Sequence, residues 1–354
     1  MCIRDRLRAV IETTPEDANA YLSYGGLRKW EAEDPVLGRL ERFWETTAQS
    51  KVKALAGFAL SKAQMDLGRD AAAMETLHAA NRDQASAALR SYDPDTMDEE
   101  VQSLIERWSA DALDRLQGIG AETVRPIFVI GMARSGSTLL DQILCAHPAL
   151  TGTGEDSVVS RFFPVEIDAT PDAIKSASRE GATALRHVAG AGPQVVDKFL
   201  YNFLRVGALA TAFPKARFLD TSRDPRSVAL SIYANSMKVD GHPYSTDLTH
   251  IGRFFLSYET LMAHWQTVLG SRVRTVSYEA LVTDPEPEIR AILDWLDLPW
   301  DDACLKPNAV ARRVKTLSLT QVRGEISTAS VERWHRFEDG LKPFIDVLKR
   351  AGRL

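Results

Sequence analysis

Three cysteines in 354 residues, Cys2, Cys145 and Cys304, are too few and too far apart for a disulfide framework or a zinc site. Their scarcity fits a reducing, cytosolic setting. Long apolar runs are missing too: no stretch approaches the roughly 18 to 20 residues of a membrane span, and the N-terminus lacks the apolar core of a secretory signal. Nor is there an excess of one charge. Forty-three basic residues against forty-eight acidic ones leave a net charge of -5, which advertises neither a nucleic-acid surface nor a surface for anionic membranes. Any anion site must therefore be local. What is plentiful is apolar: 45% of the residues are hydrophobic, enough for a globular chain of this length to bury a real core.

Residues 1–122 read as all-α, rich in Ala, Leu, Glu, Arg and Lys with few β-branched runs. The opening Met1 to Arg6 fits neither a signal nor the helical pattern and is set aside. From Phe58 to Asn81 the pattern is helix, turn, helix, broken at Leu67-Gly68-Arg69-Asp70. It resembles one tetratricopeptide unit, carried by the small residues Gly57, Ala63, Gly68 and Ala73; an ordinary helical hairpin is the alternative. Because a stack of such units needs several to bury its faces, the resemblance implies a native chain that begins further upstream. Ser91 to Asp95 marks a loop, and a last helix is expected near Glu99 to Leu116, ending at Gly118 and Gly120.

Residues 123–354 change texture. The short apolar runs Ile127 to Ile130, Gln194 to Val196, Ala216 to Leu219 and Val273 to Val276 alternate with helical segments, the pattern of an α/β domain whose parallel sheet carries helices on both faces. Asp224-Pro225 and Asp284-Pro285 each set an N-cap acid before a proline at the first helical position.

The first of these strands runs into Gly131-Met132-Ala133-Arg134-Ser135-Gly136-Ser137-Thr138, which has the two glycines of a P-loop at GxxxxG spacing but Ser137 where its lysine belongs. A strand, a glycine turn and a helix beginning there aim backbone N–H groups and the positive helix end at one spot. That spot attracts an anion, a nucleotide-type phosphate or phosphosulfate. In kinases the lysine reaches the terminal phosphates and the hydroxyl holds magnesium. A phosphosulfate carries fewer charges, and Arg134 with the hydroxyls of Ser137 and Thr138 could grip it without a metal.

A second such turn is Thr221-Ser222-Arg223-Asp224-Pro225, after the strand at 216–219, with Ser231 on the second turn of the helix that follows. In a doubly wound sheet both turns open on the same edge. Two anion pockets on one edge call for a ligand with two separated anionic groups.

From Pro126 to about Leu348 the chain resembles the sulfotransferases that use 3′-phosphoadenosine-5′-phosphosulfate (PAPS), especially bacterial ones with N-terminal tetratricopeptide repeats and, more distantly, tyrosylprotein sulfotransferases. The resemblance is carried by GMARSGSTLLDQILCAHP, DKFLYNF, FPKARFLDTSRDPRSVALS, VSYEALVTDP and VRGEISTASVERWHRFE. It implies that Arg134, Ser135, Gly136, Ser137 and Thr138 hold the 5′-phosphosulfate and that Arg223 and Ser231 hold the 3′-phosphate. Arg323, Ser330 and Trp334 match the late segment that closes over the cofactor, with Trp334 equally readable as core. Ala133 and Leu200 stand where the family commonly has proline.

Transfer to a hydroxyl needs a base for the acceptor proton and a cation for the leaving oxygen. Glu155 aligns with the base of the tyrosylprotein relatives, with Asp156 as runner-up. Lys198, at the end of the strand after Gln194, is placed to supply the cation missing at Ser137. Since histidine is the base in some branches, His147, His187, His242, His250 and His264 also come into question. A P-loop ATP-dependent kinase and a non-catalytic protein that binds a partner through its helical repeats are the competing readings. The acceptor, whether peptide tyrosine, carbohydrate, lipid headgroup or small metabolite, lies in variable loops that motifs do not encode.

Overall fold

The computed structural model describes residues 3–27, 29–88, 91–154, 157–189, 194–307, 328 and 331–354. Two compact units are distinguished. One comprises Met1–Pro94, Pro225–Phe254 and Val331–Leu354; the other comprises Asp95–Asp224 and Phe255–Ser330. Sequence texture puts a boundary at 122, whereas packing groups the helices after Pro94 with the sheet. Trp108 shows why. Its buried ring lies where a Cβ on Gly207 would stand, and its carbonyl oxygen meets His264 Nε2 at 3.0 Å.

Among the described residues of the sheet-bearing unit five parallel strands are β1 (Ile127–Gly131), β2 (Leu150–Gly152), β3 (Gln194–Lys198), β4 (Arg217–Ser222) and β5 (Val273–Ser277), in the order β2-β3-β1-β4-β5. The apolar runs found in the sequence became β1, β3, β4 and β5; β2, three residues long, has no apolar run to betray it. Side chains alternate across a strand. Ile127, Val129, Val196 and Leu219 accordingly share one face, packed with Leu140, Ile143 and Leu144 of the helix Ser137–Ala146 and with Ile289, Ile292 and Leu293 of the helix Pro285–Trp295. On the other face Phe128 stacks on Phe218 at 5.3 Å and leans on Phe213, which meets Phe163 edge-on. Helices thus cover both faces, as the alternating pattern implies. The helix expected from Glu99 to Leu116 is two, Pro94–Arg107 and Ala110–Arg115, separated at Trp108 and Ser109.

The other unit is helical. Ser50–Asp66 and Asp70–Ser86 form the hairpin read from the sequence, turning through Gly68 at φ 73°. They approach so closely that a Cβ on Gly57 would stand 2.8 Å from that of Ala80. Small side chains are needed there because backbones this close leave no room for larger ones. Tyr21, Trp30, Leu40 and Leu60 centre its core. The opening residues, set aside from the sequence, belong from Ile3 onward to the helix Ile3–Thr13. The same unit includes the helix Pro225–Tyr233, held to Asp70–Ser86 by Asn81 Nδ2 donating to the Tyr233 carbonyl (2.9 Å) and by His78 Nδ1 against the Tyr233 hydroxyl (2.8 Å). Among the described residues no helix is long and apolar enough to cross a membrane.

Candidate functional site

The loop between β1 and Ser137–Ala146 has a backbone that few side chains tolerate. Gly131 has φ 143° and Gly136 φ 104°, and Arg134 between them stands at φ 70°, uncommon for a residue with a Cβ. Space is as restrictive as torsion. A Cβ on Gly131 would strike Thr221 of β4, and one on Gly136 would strike the ring of Tyr278, the first residue after β5. Both glycines are therefore fixed by side chains of neighbouring segments, one on β4 and one just past β5. Gly136 caps the helix, so the N–H groups of Ser137 and Thr138 belong to the first turn, which lacks intrahelical acceptors. A cradle of this shape fits a phosphate-like anion.

The loop's side chains divide between scaffold and site. Ser135 is turned inward, 1% exposed, its hydroxyl 2.7 Å from the Met132 carbonyl and 2.5 Å from the Thr221 hydroxyl, which itself reaches the Ile130 carbonyl at 3.2 Å. The Ser135 side chain thus braces β1 against β4. Arg134 is half-buried, Ser137 is buried on the first helical turn, and Thr138 accepts from Lys198 Nζ at 3.5 Å.

Lys198 ends β3, in register with Val129 and hence on the face that carries the helix Ser137–Ala146. It is 5% exposed. Its neighbour Asp197, in register with Phe128, lies on the opposite face and accepts from the Ser157 hydroxyl (2.9 Å), the Val158 N–H (3.0 Å) and the Asn202 side-chain amide (3.1 Å). Burial pushes the Asp197 carboxyl up to about 6, against the pull of its hydrogen bonds to Ser157, Val158, Asn202 and Val159.

Arg223, just past β4, donates from Nη1 to the Arg134 carbonyl at 3.3 Å and sits 4.4 Å above the ring of Tyr278. Burial lowers its pKa, while Tyr278, Glu279 and Asp224 act to raise it. Glu279 also accepts the Asp224 N–H at 2.9 Å, fixing the turn that carries Arg223. Arg134, Thr138, Lys198 and Arg223 are thus gathered at the carboxyl ends of β1, β3 and β4.

Ser231 and Trp334 belong to the helical unit. Ser231 is buried on Pro225–Tyr233. Trp334 is buried between Arg226, whose guanidinium is 3.6 Å from its ring centre, and His335, stacked at 3.8 Å; this is a packed core residue. Glu155, Asp156, Arg323 and Ser330 lie outside the described residues.

Several histidines have structural duties. His147 accepts the Ala149 N–H at Nδ1 (3.1 Å), so its Nε2 carries the proton and donates to the Pro299 carbonyl at 2.9 Å. His264 Nε2 is engaged with Trp108, and burial pushes His242 down to about 4. His250 packs edge-on against Tyr92, and His187 is exposed on Pro171–Ala189.

Tyr278 escaped the sequence reading although it stands in a quoted motif, VSYEALVTDP. The signal for it is spatial: the atom that Gly136 lacks is the space its ring occupies. Nothing in the sequence around Asp197 points to its partners either, which come from two other segments.

Residues 126–302 match the model of a sulfotransferase family. A protein of unassigned function from Aquifex aeolicus is 31% identical over 92% of this chain and 45% of its own length. The protein-tyrosine sulfotransferase of Drosophila melanogaster is 26% identical over 65% of this chain and 50% of its own. The chain thus spans about half the length of these two relatives. Among solved structures, the sulfotransferase domain of a Synechococcus olefin synthase aligns with 64% of this chain and 96% of that domain at 18% identity, with a TM-score of 0.45.

Proposed function

The chain belongs to the sulfotransferase family, and we propose that it moves the sulfuryl group of PAPS to a hydroxyl acceptor by in-line transfer. The observation that carries this reading is the placement of Lys198 beside Thr138 and of Arg223 against the Arg134 carbonyl, on a loop that has Ser137 in place of lysine. Two cations brought to one glycine cradle by separate strands, with Arg134 in the cradle itself, suit an anion whose charge is spread over a sulfate and two phosphate positions.

In this proposal the N–H groups of Gly136, Ser137 and Thr138, with the Arg134 guanidinium and the two hydroxyls, hold the 5′-phosphosulfate. Ser135 shapes the loop through its bond to Thr221. Arg223 takes the 3′-phosphate; Ser231 joins it, and Arg323 closes over the nucleotide, on the resemblance alone. The acceptor oxygen attacks sulfur as the sulfur–oxygen bond to the 5′-phosphate breaks. The electron pair of that bond leaves on adenosine 3′,5′-bisphosphate, where Lys198 stabilises the new charge, and the acceptor proton passes to the Glu155 carboxylate. No metal enters this sequence of events.

Relatives named for protein tyrosine make a phenolic hydroxyl in a peptide the first acceptor to try; carbohydrate, lipid headgroup and small-metabolite hydroxyls follow. The test is purified chain incubated with PAPS and a hydroxyl library that includes tyrosine peptides. Release of adenosine 3′,5′-bisphosphate dependent on an acceptor, with thermal stabilisation by the bisphosphate, is the expected result. Absence of both, or magnesium-dependent ATP binding that displaces PAPS, overturns it in favour of the kinase reading.

A further inference from the structure

A carboxylate is costly to bury unless donors meet it. Asp197 is fully buried, and its three donors come from chain segments on either side of it. Ser157 and Val158 precede it by some forty residues; Asn202 follows it by five. Ser157 is itself the hub of a turn, its Oγ accepting the N–H of Val159 (3.3 Å) and of Ser160 (3.1 Å) ahead of the short helix Ser160–Phe162. One residue further back on β3, the Val196 carbonyl accepts the Thr153 N–H at 2.9 Å. The end of β3 is therefore the post to which the chain on both sides is tied.

Lys198 is the last residue of that strand. A lysine has a long flexible stem, and a strand terminus frays unless something holds it, yet this one is 5% exposed with Nζ beside Thr138. Where that stem starts is set by the backbone on either side, because bonds to Asp197 hold the 157–160 turn before it and the Asn202 turn after it.

We propose that Asp197 is a positioning residue of the transfer site, anchoring the end of β3 so that Lys198, on the opposite face, is presented to Thr138 at the phosphate loop. The inference rests on the sulfuryl-transfer reading for its catalytic meaning but not for its geometry. A shift of about 1 Å in a catalytic group can cost on the order of a hundredfold in rate, so a second set of bonds that holds Lys198 in place has a measurable effect.

Two variants test it, Asp197→Asn, which keeps the volume and removes one acceptor, and Asn202→Ala, which deletes a single donor and endangers folding less. The first readout needs no activity: lysine acetylation by acetic anhydride, followed residue by residue by mass spectrometry. Lys198 is expected to react at least about fivefold faster in both variants, with Lys62 and Lys215 unchanged, because only its local anchoring is lost. Unchanged Lys198 labelling, or an equal rise at all three lysines, overturns the proposal. The second readout is turnover. Asp197→Asn should lose about tenfold to a hundredfold in kcat while the Kd for adenosine 3′,5′-bisphosphate stays within about twofold, and combining it with Lys198→Met should cost little beyond Lys198→Met alone. Losses that multiply overturn it. Were the native chain neither to bind the bisphosphate nor to consume PAPS, sulfuryl transfer would fail as a reading, and the acetylation result would still decide whether Asp197 positions Lys198.

Discussion

Arg223 Nη1 donates to the carbonyl oxygen of Arg134 across 3.3 Å, so the turn after β4 is bonded to the backbone of the phosphate loop itself. The glycine loop and Arg223, separate in the sequence, are thus bonded to each other on the sheet-bearing unit. Tyr278 completes the connection, lying under the Arg223 guanidinium and against Gly136.

Replacing Arg223 by lysine keeps the charge and loses the planar fork. Affinity for adenosine 3′,5′-bisphosphate is expected to fall about tenfold, and Arg223→Ala should lose more while retaining a measurable fraction of kcat at saturating PAPS. Isothermal calorimetry decides; a lysine variant that binds like the native chain contradicts the assignment.

Gly136→Ala adds one methyl group where the Tyr278 ring already sits, at a φ of 104°. A loss of at least about 2 kcal/mol of stability is expected from strain and collision together. Urea unfolding measures it, and Gly136→Ala in a Tyr278→Ala background should recover part of the loss. No recovery would mean that the ring does not set the size of the loop.

Lys198→Met and Glu155→Gln are expected to separate chemistry from binding. Each should lower kcat by about a hundredfold or more with bisphosphate affinity nearly native, since in the proposed reaction both groups act on charge or protons that move during transfer. If either variant loses binding and turnover in equal measure, its role is in holding the donor.

Asp220 gives a prediction about pH. Tyr258 donates its hydroxyl to this carboxyl, and both residues are buried. Burial pushes Asp220 from 3.8 up to about 7. The unfolded chain therefore gives up this proton first, and stability contributed by the neutral carboxyl is lost progressively as pH rises from about 4 to about 7, then changes no further. In Asp220→Asn nothing titrates, so its Tm relative to the native chain should improve between about pH 4.5 and about pH 8. A difference that is flat with pH refutes this account.

The phosphate loop was legible because its backbone is encoded locally: glycines at fixed spacing, a strand before and a helix after. The four longer strands were legible for the same reason. Sites that depend on distant partners were not. Ser135 reads as a phosphate ligand from its place in the motif, and only Thr221, brought alongside by β4, shows that its hydroxyl faces inward. Asp197 beside Lys198 looks like an ion pair in one dimension, but strand alternation puts the two on opposite faces. Trp108 and Ser109 interrupt a helix without glycine or proline, for a packing reason that appears only once Gly207 is beside the ring. β2 is too short for any periodicity, and its existence depends on pairing with β3.

The strand order also predicts which part of the sheet yields first. β1 is bonded on both sides, whereas β2 is a three-residue edge. Amide hydrogen exchange should be slowest along β1 and fastest along β2, since edge strands open at lower free energy than central ones. The glycine loop hangs from the central strand, β1, and the chain through Thr153 and Gly154 hangs from the β2 edge. On the sulfuryl-transfer proposal the donor is therefore held by the least yielding part of the sheet, and local opening at the β2 edge leaves the shape of its cradle intact.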